Sequence, residues 1–153
     1  MKRLSFDEYL ILLAHTVKLR SQDEFRAVGA VCASKDNRII SCGYNGLASG
    51  FDPSIDFYLE RENPCRELFT FHAELNALML TKKGEVHTIA LTCSPCRHCA
   101  KMIVGYGIKK VIYSHEYERE QEFKKVFSFY KIDYEDIKVT NLDIILKNFL
   151  QNM

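Results

Sequence analysis

The chain has 153 residues, 47% hydrophobic and 27% charged, a balance that fits a single folded domain over residues 1–153 with a sizeable core. Its 21 basic and 20 acidic side chains leave a net charge of +1, which argues against the broad basic face that stable polynucleotide binding needs and leaves room for a small charged ligand. No stretch reaches the roughly 20 apolar residues that cross a bilayer, so no membrane contact is expected. Acidic residues follow Lys2 and Arg3 almost at once, so the N-terminus does not read as a secretion signal.

Ser5 with Glu8 forms a capping box, and Phe6, Tyr9, Leu10, Leu13, Ala14 and Val17 follow at helical spacing. Residues 27–33 and 38–42 are β-prone and flank the turn-forming Ser34-Lys35-Asp36-Asn37, which predicts a hairpin. Periodicity then breaks over residues 44–71, where Gly46, Gly50, Pro53 and Pro64 alternate with aromatic residues; so long a connection is usually functional or mobile. A helix is expected over 72–81, a strand over 88–93, a helix over 96–106 ended by Gly107, and a strand over 110–114. A helix over 118–130, a strand over 137–140 and an amphipathic helix over 142–152 complete the pattern. This alternation predicts an α/β fold: a three-layer α/β/α sandwich around a mixed sheet of about five strands.

Six cysteines are present. Cys32, Cys42 and Cys93 lie in apolar strand-like runs, where a free thiol behaves as a small hydrophobe, so a reducing cytoplasm is the expected setting. Cys96 and Cys99 differ: they open a helix, one turn apart, where unpaired N–H groups favour thiolates. His72 and Glu74 open another helix upstream. One imidazole and two thiolates form a three-ligand zinc set with a fourth position left for water, and zinc lowers that water's pKa to near neutrality. Glu74, unneeded as a ligand, is placed to move protons. Other readings of Cys-x-x-Cys stay open: a redox dithiol, or a structural zinc closed by His98 or Cys65.

The run His72-Ala73-Glu74 with Pro95-Cys96-Arg97-His98-Cys99 resembles the zinc signature of the cytidine deaminase superfamily. The resemblance runs over about residues 28–117 and includes Gly107-Ile108-Lys109-Lys110-Val111; Gly43-Tyr44-Asn45-Gly46 and Cys99-Ala100-Lys101 narrow it to the deoxycytidylate (dCMP) deaminase branch. The resemblance implies one catalytic Zn²⁺ on His72, Cys96 and Cys99, with Glu74 as acid and base in hydrolysis of dCMP to dUMP and ammonia for thymidylate synthesis. It further implies a sugar contact from Asn45, a surface for the base edge near Ala73, Ser94 and Pro95, and a nucleotide contact from Tyr117. Arg26, the nearest surviving cation in the segment before Val28, is the candidate phosphate ligand. A homo-oligomer, often a hexamer, is implied too, with dCTP and dTTP effectors bound through a divalent ion such as Mg²⁺ and the loop 43–46 as a lever. The chain departs from the family at Ala48, where many members have proline, and over residues 21–26. Two rivals share parts of this pattern: a tRNA or polynucleotide nucleobase deaminase, and a non-catalytic zinc-stabilised nucleotide sensor.

Overall fold

A computed structural model describes residues 3–23, 25–51, 65–138 and 142–151. Helix α1 (Phe6–Lys18) starts where the capping box places it: the Ser5 hydroxyl accepts from Glu8 N at 3.2 Å and the Glu8 carboxylate accepts from Ser5 N at 2.7 Å. Strands β1 (Gly29–Ala33) and β2 (Ile39–Tyr44) form the expected hairpin, with Asn37 in the left-handed region (φ 61°) that asparagine tolerates. Strand β3 (Thr88–Leu91) pairs antiparallel with β1, while β4 (Lys110–Tyr113) and β5 (Asp133–Asp136) extend the sheet in parallel. The sheet is mixed, five-stranded and ordered β2-β1-β3-β4-β5.

Period-two alternation divides the core. Val31, Ala33, Ala90 and Ile112 face α1, where they meet Leu10, Ile11 and Ala14. Ala30, Cys32, Ile89, Leu91, Val111 and Tyr113 point the other way. There they meet α3 (Ala73–Leu78), α4 (Arg97–Gly105) and α5 (Glu122–Tyr130) through Ala77, Leu78, Ala100, Ile103, Phe123 and Phe127. The three layers match the predicted sandwich. A further short helix, α2 (Cys65–Phe69), falls in the stretch read as irregular, and α6 (Leu142–Gln151) closes the described chain.

Two expectations need correction. The last strand among the described residues is Asp133–Asp136, and the described part of the expected 137–140 strand, residues 137 and 138, lies beyond its end. Three of its four residues are exposed, so an edge strand of this kind lacks the apolar alternation that marks a half-buried one. Ile137 N still donates to Tyr113 O at 2.7 Å, one bond beyond the ladder; residues 139 and 140 lie outside the described chain. The helix expected from 118 begins only at Glu122, because residues 117–120 close a turn in which Glu120 N donates to Tyr117 O.

Candidate metal centre and active site

Both metal-motif helices begin with a ligand residue at the N-cap: His72 for α3 and Cys96 for α4. The position of α3 is fixed by close backbone approach to β2. A Cβ on Gly43 would sit 2.4 Å from Ala77 N, so only glycine lets the helix lie this close. Polar links complete the seam: Ser41 Oγ donates to Ala77 O at 2.8 Å and Asn76 Nδ2 to Tyr44 O at 2.7 Å. Gly46 and Phe71 exchange two backbone hydrogen bonds, which anchors the residue just before His72. Helix α4 follows directly from β3 through Thr92-Cys93-Ser94-Pro95, so its start lies at the carboxyl end of the sheet's parallel strands, a common place for α/β ligand sites.

These supports bring three donors together. His72 Nδ1 lies 3.3 Å from Cys99 Sγ and 3.7 Å from Cys96 Sγ, and all three ligand atoms fall within 4.8 Å of one another. Tetrahedral zinc, with its usual Zn–N and Zn–S lengths, places nitrogen and sulfur about 3.6 Å apart. The two N···S separations bracket that value, so the donor set fits zinc. Among the described residues no fourth protein donor joins the cluster. His98, one of the two candidates to close it, is exposed and accepts from Arg97 Nε at 3.5 Å; the Cys65 side chain lies outside the described residues.

Charge in the cluster is already arranged for a cation. The hydrogen bond with Cys99 is the main force pulling Cys96 down to about 3, and it pushes Cys99 up in turn. His72 is raised, chiefly by its hydrogen bond to Cys96. A bound divalent ion would displace these remaining protons. Glu74 is 4% exposed, and burial pushes its carboxyl above the ordinary range, with the His72 charge opposing. Its carboxyl also shares a hydrogen bond with Cys99, yet it is not one of the three clustered donors. A buried acid beside the ligands, with its carboxyl raised by burial, suits proton transfer.

The mouth of the site is built from loops. The Arg26 guanidinium carbon lies 3.7 Å from the centroid of the Tyr117 ring. Arg26 also acts electrostatically on His72 and hydrogen-bonds with the half-buried Cys93 thiol, whose pKa burial raises. Two candidates from the sequence, distant along the chain, thus stand together beside the metal donors. Ser94 supports this arrangement: its hydroxyl accepts from Tyr117 N at 2.8 Å. Ala73 and Pro95 are buried, each next to a ligand in the chain.

Asn45 has a different setting from the one the resemblance implies. Its Oδ1 accepts from Val28 N and Ser21 Oγ, both at 2.8 Å, and its Nδ2 donates to Arg26 O at 2.9 Å and Asp23 Oδ2 at 3.5 Å. Those four bonds fill the amide's capacity, so Asn45 organises the segment 21–28 and a direct sugar contact would have to displace a partner. Ser21, Asp23 and Cys93 were not singled out as site residues. Only a Ser-x-Asp turn pattern hinted at the first two, and their reach to Asn45 is a tertiary fact.

The family described as the cytidine and deoxycytidylate deaminase zinc-binding region matches residues 4–115. A probable deoxycytidylate deaminase of Caenorhabditis elegans is 36% identical over 132 residues, covering 82% of this chain and 66% of its own length. Deoxycytidylate deaminase of Mus musculus is 34% identical over 125 residues, 78% of this chain and 70% of the relative. The crystal structure of dCMP deaminase from the cyanophage S-TIM5, in complex with dCMP and dUMP, superposes with a TM-score of 0.72 at 30% identity, covering 90% of this chain and 100% of that one. The fold and the donor set define a zinc-binding deaminase domain. The chain belongs to the cytidine and deoxycytidylate deaminase family.

Proposed function

We infer that the chain is a zinc-dependent deaminase that hydrolyses dCMP to dUMP and ammonia, and so supplies dUMP for thymidylate synthesis. The observation that carries this reading is the three-donor cluster beside the buried, unligated Glu74, in a chain whose relatives include named deoxycytidylate deaminases. His72, Cys96 and Cys99 would hold the zinc, which when bound would supply a water acidified to near neutrality. Glu74 accepts that water's proton and delivers it to N3 of the cytosine ring. The water oxygen bonds to C4; Glu74 then takes the remaining proton from that C4 hydroxyl and passes it to the amine, so the C4–N bond breaks, ammonia leaves and the oxygen stays on C4 as a carbonyl. Ala73, Ser94 and Pro95 form the wall against the base, and Tyr117 flanks the nucleotide. Arg26 contacts the phosphate: it is an exposed guanidinium at the mouth, suited to bidentate anion recognition.

The finer reading extends to assembly and setting. Exposed Leu68, Phe69, Met79 and Leu80, on and just after α2 and α3, support a homo-oligomer, up to the hexamer the resemblance implies. The loop 43–46, bonded both to Phe71 and to segment 21–28, is a route by which a dCTP or dTTP effector with Mg²⁺ would reach the site. No helix among the described residues is long and apolar enough to cross a membrane. The free cysteines favour a reducing cytoplasm.

Ammonia release from dCMP, deoxycytidine and dCTP at matched concentration tests the proposal, with single-stranded DNA and tRNA alongside. We expect dCMP to be the best substrate by kcat/KM. Turnover of a polynucleotide without turnover of dCMP would replace this reading, and zinc binding without any ammonia release would leave a nucleotide sensor.

A further inference from the structure

We propose that Asp23 is a positioning residue for phosphate recognition, because its buried carboxylate and Asn45 clamp both backbone polar groups of Arg26. Asp23 is 3% exposed. A carboxylate is buried at high cost unless hydrogen bonds surround it, and here they do. Its Oδ1 accepts from Phe25 N at 3.1 Å and Arg26 N at 2.9 Å, an Asx turn. Asn45 Nδ2 donates to its Oδ2 at 3.5 Å and to Arg26 O at 2.9 Å. Ser21 closes the latch: its Oγ accepts from Asp23 N at 3.2 Å and donates towards the backbone and side-chain oxygens of Asn45.

The consequence lies at Arg26. An exposed arginine on a free loop samples many rotamers and loses that freedom on binding an anion. Here the peptide N–H and carbonyl of Arg26 are both held, which fixes where its side chain departs from the main chain. The Tyr117 face then restrains the guanidinium from the far side. Tyr117 is itself tied to Ser94 in the segment leading to Cys96. The latch thereby ties the placement of the phosphate contact to the segment that leads to the metal donors. Asp23 acts through Arg26 and needs no contact with substrate.

This inference rests on the reading of Arg26 as the phosphate contact, and the test separates the two. The full-length zinc protein is assayed with dCMP as wild type, Asp23→Ala, Arg26→Ala and the double variant, with zinc content measured for each. We expect Asp23→Ala to raise KM for dCMP about tenfold while kcat stays within about threefold, the scale of one lost charge-assisted hydrogen bond. In the Arg26→Ala background the same change should add less than about twofold. Asp23→Asn, which keeps an acceptor for the two N–H groups, should restore KM to within about threefold of wild type. A fall in kcat matching the rise in KM, or a full effect that persists without Arg26, would assign Asp23 a merely structural role and overturn the proposal. An unchanged KM in Arg26→Ala would defeat the phosphate reading itself. Raised KM in Arg26→Ala with no change in Asp23→Ala would defeat only the latch. If Asp23→Ala fails to fold, Ser21→Ala replaces it, with an expected KM rise of about threefold that vanishes in the Arg26→Ala background.

Discussion

The floor and the mouth of this site are built by different physics. On the floor, His72, Glu74, Cys96 and Cys99 sit at or near the first turns of two helices packed on the sheet. Their positions follow from buried apolar contacts and from the close approach at Gly43. At the mouth, Arg26 and Tyr117 sit on loops held by side-chain to main-chain hydrogen bonds through Asp23, Asn45 and Ser94. On the proposed reading, chemistry that needs ångström precision would rest on regular elements, and recognition on loops whose polar ties can be retuned without disturbing the core. Substitutions on the floor should therefore cost turnover, and those at the mouth should cost affinity.

The sharpest break is Cys99→Ala. Removing one of three donors should strip the zinc and bring ammonia release down to background, checked by metal analysis and a dCMP assay. Glu74→Gln should keep zinc and fold but lower kcat by about 10²–10⁴, the usual worth of a positioned acid–base group. A retained kcat in that variant would remove Glu74 from the mechanism. Gly43→Ala tests the floor's packing rather than its chemistry. Its new Cβ would meet Ala77 N, so we expect about 2 kcal/mol of destabilisation, a melting shift of roughly 5 °C, and lower kcat as α3 moves.

Mouth substitutions should be milder. Ser94→Ala removes the acceptor for Tyr117 N and should raise KM about threefold with little change in kcat, as expected for one neutral hydrogen bond. The smallest effect concerns acid. The Lys124 ammonium, bonded at 2.6 Å, holds Glu116 below the ordinary carboxylate value of 4.5, with Tyr113 assisting. A depressed folded-state pKa contributes stability above that ordinary value and loses it as pH falls through the folded value. Glu116→Gln should therefore be slightly less stable than wild type near neutral pH and converge with it in acid, read from denaturant midpoints across that range. If the gap stays constant with pH, the ion pair is not its source.

Local pattern carried much of the architecture. The capping box fixed the start of α1, and the Ser34–Asn37 turn joined the hairpin. The Cys-x-x-Cys spacing set both sulfurs at one helix start, and the upstream His72 and Glu74 favoured zinc over a redox dithiol. All of these are short-range signals, readable because periodicity, capping and ligand chemistry act over a few residues. Strand β5 escaped that logic because an exposed edge strand carries charges where alternation would show. Asn45 escaped it for another reason: a tight-turn asparagine looks the same whether it touches a ligand or a neighbouring loop.

The amino-acid order by itself determined the kind of chemistry and the succession of helices and strands, since both depend on neighbours within a turn or two. The tertiary structure decided which distant loop residues meet at the entrance, that Arg26 stacks on Tyr117, and that Asn45 turns inward. Those choices depend on contacts between residues far apart in the chain, and such contacts exist only once the sheet has brought its loops to one end.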